Sequence, residues 1–121
     1  MTRLSFLSPV SPPLRILEVR GGVPDGSIPL GPDRALVVGD AEADLDGYRV
    51  YDLSAALVAL EVESEELLAR ITELTGFPAA GSILRDVPAV IEPRGAGFRL
   101  FVPQELSQYV SETIEDLRSG L

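Results

Sequence analysis

The side chains able to do chemistry in this sequence are few. It contains no histidine and no cysteine, and all 10 of its basic residues are arginine. Without cysteine, disulfides, thiolate nucleophiles and cysteine-held zinc or iron–sulfur centres are excluded within the chain. Without histidine there is no Ser-His-Asp triad and no imidazole acid or base. Without lysine, Schiff-base chemistry and a P-loop lysine are gone. Carboxylates, tyrosine, hydroxyls and guanidinium groups remain. Arginine keeps its charge and suits planar, bidentate partners, although codon bias in a GC-rich genome accounts for the same usage.

Among the carboxylates, Asp86 stands at the entrance of a predicted strand, where it can reach a cleft or serve as a turn residue. Asp52 ends another strand just before Ser54, a place for a carboxylate buried and hydrogen-bonded to the following backbone. In GDAEADLDG, the residues Glu42, Asp44, Asp46 and Gly47 imitate the first half of a calcium loop. Position twelve of that loop would be Leu53 instead of a bidentate glutamate, so a solvated acidic turn is the better reading. Gly95-Ala96-Gly97 has the look of a phosphate-binding glycine pair, but a strand follows it where a helix N-terminus is needed, and a hairpin turn fits better. Tyr109 falls on the apolar stripe of a helix and reads as core.

The elements that would position these groups follow from periodicity. Val87, Ala89 and Ile91 alternate with Val90 and Glu92, and Phe98, Leu100 and Val102 with Arg99 and Phe101, giving two half-buried strands. Pro93 to Gly97 supplies the turn between them. Leu106, Tyr109, Val110, Thr113, Ile114 and Leu117 then form one stripe of a helix, with Gly120 placed for a left-handed C-cap. Earlier, YRVYDL and Val58 to Val62 read as strands. Ser64 is the N-cap of a helix with Leu67, Leu68, Ile71 and Leu74 buried, and Gly76 ends it. LRILEV suits a short strand or a helical turn, and ALVVG a buried strand. Residues 20–34 read as a long irregular stretch. The pattern predicts an α+β protein: an antiparallel sheet with two amphipathic helices packed on one face, a strand-strand-helix unit used twice. Residues 1–34 would be a Pro/Gly-rich N-terminal arm and loop packed on a single domain of residues 35–121. The free face of the sheet would need cover from the arm, a loop or a partner chain.

At 121 residues with 45% hydrophobic content, the chain can bury one core without staples. No apolar run approaches the ~20 residues of a membrane span and the N-terminus lacks a signal-peptide pattern, so a cytoplasmic location is expected. The net charge of −9 disfavours nucleic acid and anionic membranes as partners.

Two segments resemble a known family. YDLSAALVALEVESEELLARITEL resembles the "DLS, strand, Gly-Pro-Asp-Ala, Leu-rich helix" phrase that opens the aminomethyltransferase (glycine-cleavage T-protein) fold. PAAGSILRDVPAVIEPRGAGFRLFVPQELSQYVSETIEDL is similar to the gamma subunit of heterotetrameric sarcosine oxidase, which shares that fold, and LSPV resembles the start of such subunits. The resemblance covers residues 48–118. It implies a folate-binding-type domain, with Asp86 the counterpart of the catalytic, folate-pocket Asp of the T-protein pattern. Where that pattern has Val-Asn, this chain has Val102-Pro103-Gln104. The reading that follows is a non-catalytic small subunit. It would carry no cofactor of its own and assemble with larger flavoprotein subunits in sarcosine and glycine metabolism. Two alternatives are a tetrahydrofolate-binding enzyme using Asp86, completed as a homo-oligomer, and a free-standing interaction module of the same fold.

Overall fold

The computed structural model describes residues 14–39 and 45–120. The Pro-rich residues 1–13, Leu121, and Glu42 and Asp44 of the acidic stretch lie outside them. The elements run β1 Ile16–Arg20, β2 Ile28–Gly31, β3 Arg34–Val38, β4 Arg49–Asp52, β5 Leu57–Val62, α1 Glu65–Ala69, β6 Ala79–Ile83, β7 Val87–Arg94, β8 Gly97–Pro103 and α2 Ser107–Ser119, with a 3₁₀ turn at Gln104–Leu106. The protein is α+β, but the expected single sheet is two. One four-stranded antiparallel sheet has the order β2-β3-β1-β4 and a second the order β5-β8-β7-β6. The first half of the chain builds one and the second half the other.

The second sheet is built around β8. Its neighbours β5 and β7 pair with it in register, Leu60 and Ile91 both opposite Leu100. The period of two puts Leu100 and Val102 on the face toward the helices, where they pack with Leu60, Val62, Ile91, Leu67, Leu68, Val110 and Ile114. Both helices therefore cover one face, as their apolar stripes require. Arg99 and Phe101 point the other way. That face is not left for a partner to cover: Phe101 and Ala59 pack there against Ile16, Ile28 and Leu36 of the first sheet. Phe101 is 1% exposed. The strand expected to be half-buried is covered on both faces, which the nearly unbroken apolar run FRLFV accommodates.

The strand-strand-helix repeat holds only in its second half. β4 belongs to the first sheet, so the strands before the two helices are not equivalent. The helices differ as well, with 13 residues in α2 and 5 in α1. Ser64 caps α1 as expected, its Oγ accepting from Leu67 N at 3.1 Å. The helix then stops at Ala69 instead of running to Gly76, because the chain bonds elsewhere. The Ile71 carbonyl accepts from Leu84 N, and the Thr72 hydroxyl donates to Ser82 O. Leu74 packs flat on Gly81, where an added Cβ would lie 2.7 Å from its Cδ1. Gly120 ends α2 with φ −90°, not in the left-handed conformation; its N–H closes on Leu117 O.

In the first sheet, Leu17, Val19, Ala35 and Val37 form an outer apolar face with Leu45 and Tyr48 packed on it. The stretch read as irregular contains β2, which pairs with β3 in a hairpin whose register shifts between Pro29 and Gly31. No helix among the described residues is long and apolar enough to cross a membrane.

Candidate functional site

The side chains singled out by sequence do not converge. Asp86 is exposed in the three-residue turn between β6 and β7, its N–H donating to Leu84 O at 3.0 Å. The two residues before it, Leu84 and Arg85, have φ of 49° and 77°, the left-handed region that side-chain-bearing residues rarely enter. Asp86 lines none of the three cavities described below. Asp52 is exposed, not buried, but its hydrogen bond to the following backbone is present: Ser54 N donates to Oδ1 at 2.9 Å. The Ser54 hydroxyl and N–H together hold the Asp52 carboxyl below its ordinary value. The same hydroxyl accepts from Ile16 N, so Asp52-Leu53-Ser54 ties the end of β4 to β1. Gly95 and Ala96 are the tip of the β7–β8 hairpin, with Gly95 at φ +56°, as a turn reading requires. Tyr109 is 52% exposed, contrary to its place on the stripe; Val110 and Ile114 alone face the sheet fully, with Ser111 beside them. Among the described residues no three acidic side chains are grouped to hold a metal.

Charge is instead concentrated on the faces where the two sheets meet. Glu61, Arg99 and Glu92 stand directly opposite one another across β5, β8 and β7. The Arg99 side chain is 8% exposed and reaches Glu61 at 3.1 Å and Glu92 at 3.8 Å. Burial pushes the Glu92 carboxyl up, and the guanidinium groups of Arg94 and Arg99 pull it only part of the way back. Arg99 and Glu92, with Arg94, Gly26 and Gly39, line a small cavity of about 180 Å³.

The first sheet carries a second cluster that sequence reasoning missed. Arg20 stands opposite Arg34 on one side and Arg49 on the other, so three guanidinium side chains lie in one row of one face. Buried Glu18 in the adjacent row serves two of them: 2.6 Å to Arg20 Nε and 3.5 Å to Arg34. Hydrogen bonding and charge from Glu18 raise the Arg20 pKa. Arg20 also lies over the Tyr51 ring, 5.1 Å from its centre. The alternation in LEVR and YRVYD was a visible signal, but nothing in sequence said the strands would be neighbours.

Among the described residues, apolar surface is presented in a cleft and along a strand edge. Between the sheets an open cleft of about 450 Å³ is lined by Leu30, Leu57, Ala80, Val90, Phe101 and Arg34, among others. A larger depression of about 710 Å³ beside α1 is lined by Arg70 to Leu74 with Ser82, Leu84 and Arg85. The other feature is the β4 edge. All four residues are exposed, Val50 and Tyr51 each by 43%. The opposite edge of the same sheet, β2, is blunted by Pro29, which has no N–H to offer, and by its register shift.

No model of a known protein family matches the chain, and no curated protein matches it.

Proposed function

We propose that this chain is a non-catalytic subunit that acts by assembly, in the manner of the sarcosine oxidase gamma subunit it resembles over residues 48–118. Its partners on this reading are larger cytoplasmic flavoprotein subunits, which hold the redox cofactor. The observation that carries the proposal is the β4 edge. It is a short edge strand, paired among the described residues with β1 alone, with exposed Val50 and Tyr51 at its centre. Such an edge is a template for a strand from another chain, with main-chain hydrogen bonds giving affinity and the alternate side chains specificity. A chain without histidine, cysteine or lysine suits that role better than autonomous catalysis.

Purification from the native host tests it. The expected result is a stable complex containing a flavoprotein, lost when Val50→Glu and Tyr51→Ser are introduced together. The rival reading, a folate enzyme using Asp86, predicts that tetrahydrofolate raises the unfolding temperature of the isolated protein and that Asp86→Ala cancels the rise. That outcome, with no co-purifying flavoprotein, overturns the assembly reading.

A further inference from the structure

We propose that the cleft between the sheets binds an amphipathic carboxylate, its apolar body against Phe101, Val90 and Leu57 and its headgroup on Arg34. This is independent of the assembly role, because the β4 edge contributes no residue to the cleft's lining.

Three observations converge. The cleft has the volume of a small-ligand site, about 450 Å³, within the range such pockets span. Its walls come from both sheets: Leu30 and Arg34 from the first, Ala80, Val90 and Phe101 from the second. They are largely apolar, so an apolar body gains by leaving water there. The single charged group in the lining is Arg34.

Arg34 is also held less closely by Glu18 than Arg20 is. Glu18 gives its short contact to Arg20, at 2.6 Å, and only a 3.5 Å contact to Arg34. Arg34 is half-exposed, and Arg20 and Arg49 lie beside it in the same row. Arg20 and Arg34 share one buried carboxylate, Glu18, Arg49 stands in the same row, and Asp33 is a further acidic group acting on Arg20. A planar carboxylate is the acceptor that an arginine fork matches in two hydrogen bonds. Phosphate would find the same charge, but nothing in the apolar walls would recognise the rest of a phosphorylated ligand.

The test is calorimetric titration of the intact protein with decanoate, decanol and butyrate, below the concentrations at which they aggregate. Saturable one-to-one binding of decanoate is expected, with decanol and butyrate each at least about tenfold weaker. Arg34→Gln should weaken decanoate by about tenfold, and Arg34→Lys should restore part of the loss. Ala80→Phe, at an exposed position of β6 lining the cleft, should block binding while the thermal unfolding curve stays cooperative. No saturable decanoate binding by the wild type overturns the proposal. So does undiminished binding by a folded Ala80→Phe protein. Equal affinity for decanol, or no loss in Arg34→Gln, overturns the assignment of the headgroup to Arg34.

Discussion

The two sheets have the same number of strands and opposite characters. The second is insulated: helices lie on one face, the first sheet on the other, and its central strand β8 has Leu100, Phe101 and Val102 all buried. Its one buried charge, Arg99, has carboxylates on both neighbouring strands. The first sheet has strands of four or five residues against five to eight in the second, carries an arginine row with a single buried counter-charge, and ends in a strand exposed along its whole length. The difference separates two tasks. Residues enclosed on all sides decide whether the chain folds, whereas those at a free edge or a cleft mouth are available to meet something else.

Mutations sharpen that contrast. The largest effect is expected from Leu100→Ala, at the crossing of β5, β8 and the helix layer. Urea unfolding should show a loss of about 2–5 kcal/mol, the range for a fully buried leucine whose cavity collapses only partly. A loss under 1 kcal/mol would mean that the second sheet is not the stable frame. Next comes Gly97→Ala. A Cβ there would sit 2.4 Å from the Val62 carbonyl oxygen, and the other near atoms are Glu63 backbone, which leaves little room to yield. About 1–3 kcal/mol should be lost by the same measurement. Ser64→Ala removes the α1 cap and should cost about 1 kcal/mol. Val50→Ser on the free edge should change stability by less than about 0.5 kcal/mol, although it weakens the edge as a docking strand.

Acid titration separates the sheets by sign. In the second sheet, the folded Glu92 carboxyl binds its proton more readily than the unfolded one. Its ionisation therefore opposes folding, and stability is recovered as pH falls through its raised value toward 4.5. Glu92→Gln should remove that recovery, so the variant's advantage over wild type shrinks as the solution is acidified. In the first sheet Asp52 runs the other way. Its folded value is lowered, so its contribution is present above the ordinary value of 3.8 and is lost as pH falls through the folded one. Asp52→Asn should flatten that acid loss. Urea midpoints measured across the acid range would show both, and the same sign for the two variants would contradict the environments described.

Much of the second sheet was legible in the sequence. The β7–β8 hairpin follows from two runs of period two around Gly95, and α2 from its period of 3.6, because both patterns arise from local geometry. The Ser64 cap was legible for the same reason. Tyr109 was not: an apolar stripe is wider than the surface it packs on, and only Val110 and Ile114 reach the middle of it. The end of α1 was also hidden, since Ile71 and Leu74 keep helical spacing while the Ile71 carbonyl serves the β6–β7 turn and the Leu74 N–H the Thr72 hydroxyl.

For the site the balance differs. Composition alone removed histidine, cysteine and lysine chemistry from this chain, and the alternation of polar and apolar residues determined which side chains of each strand share a face. Those properties need no partner in space. That Arg20, Arg34 and Arg49 stand abreast, that Phe101 is covered by Ile16 and Leu36, and that a cleft opens beside Arg34 depend on strand pairing and sheet stacking. Pairing across long stretches of chain is selected by which arrangement buries the most apolar surface at once, and that total is a property of the whole fold.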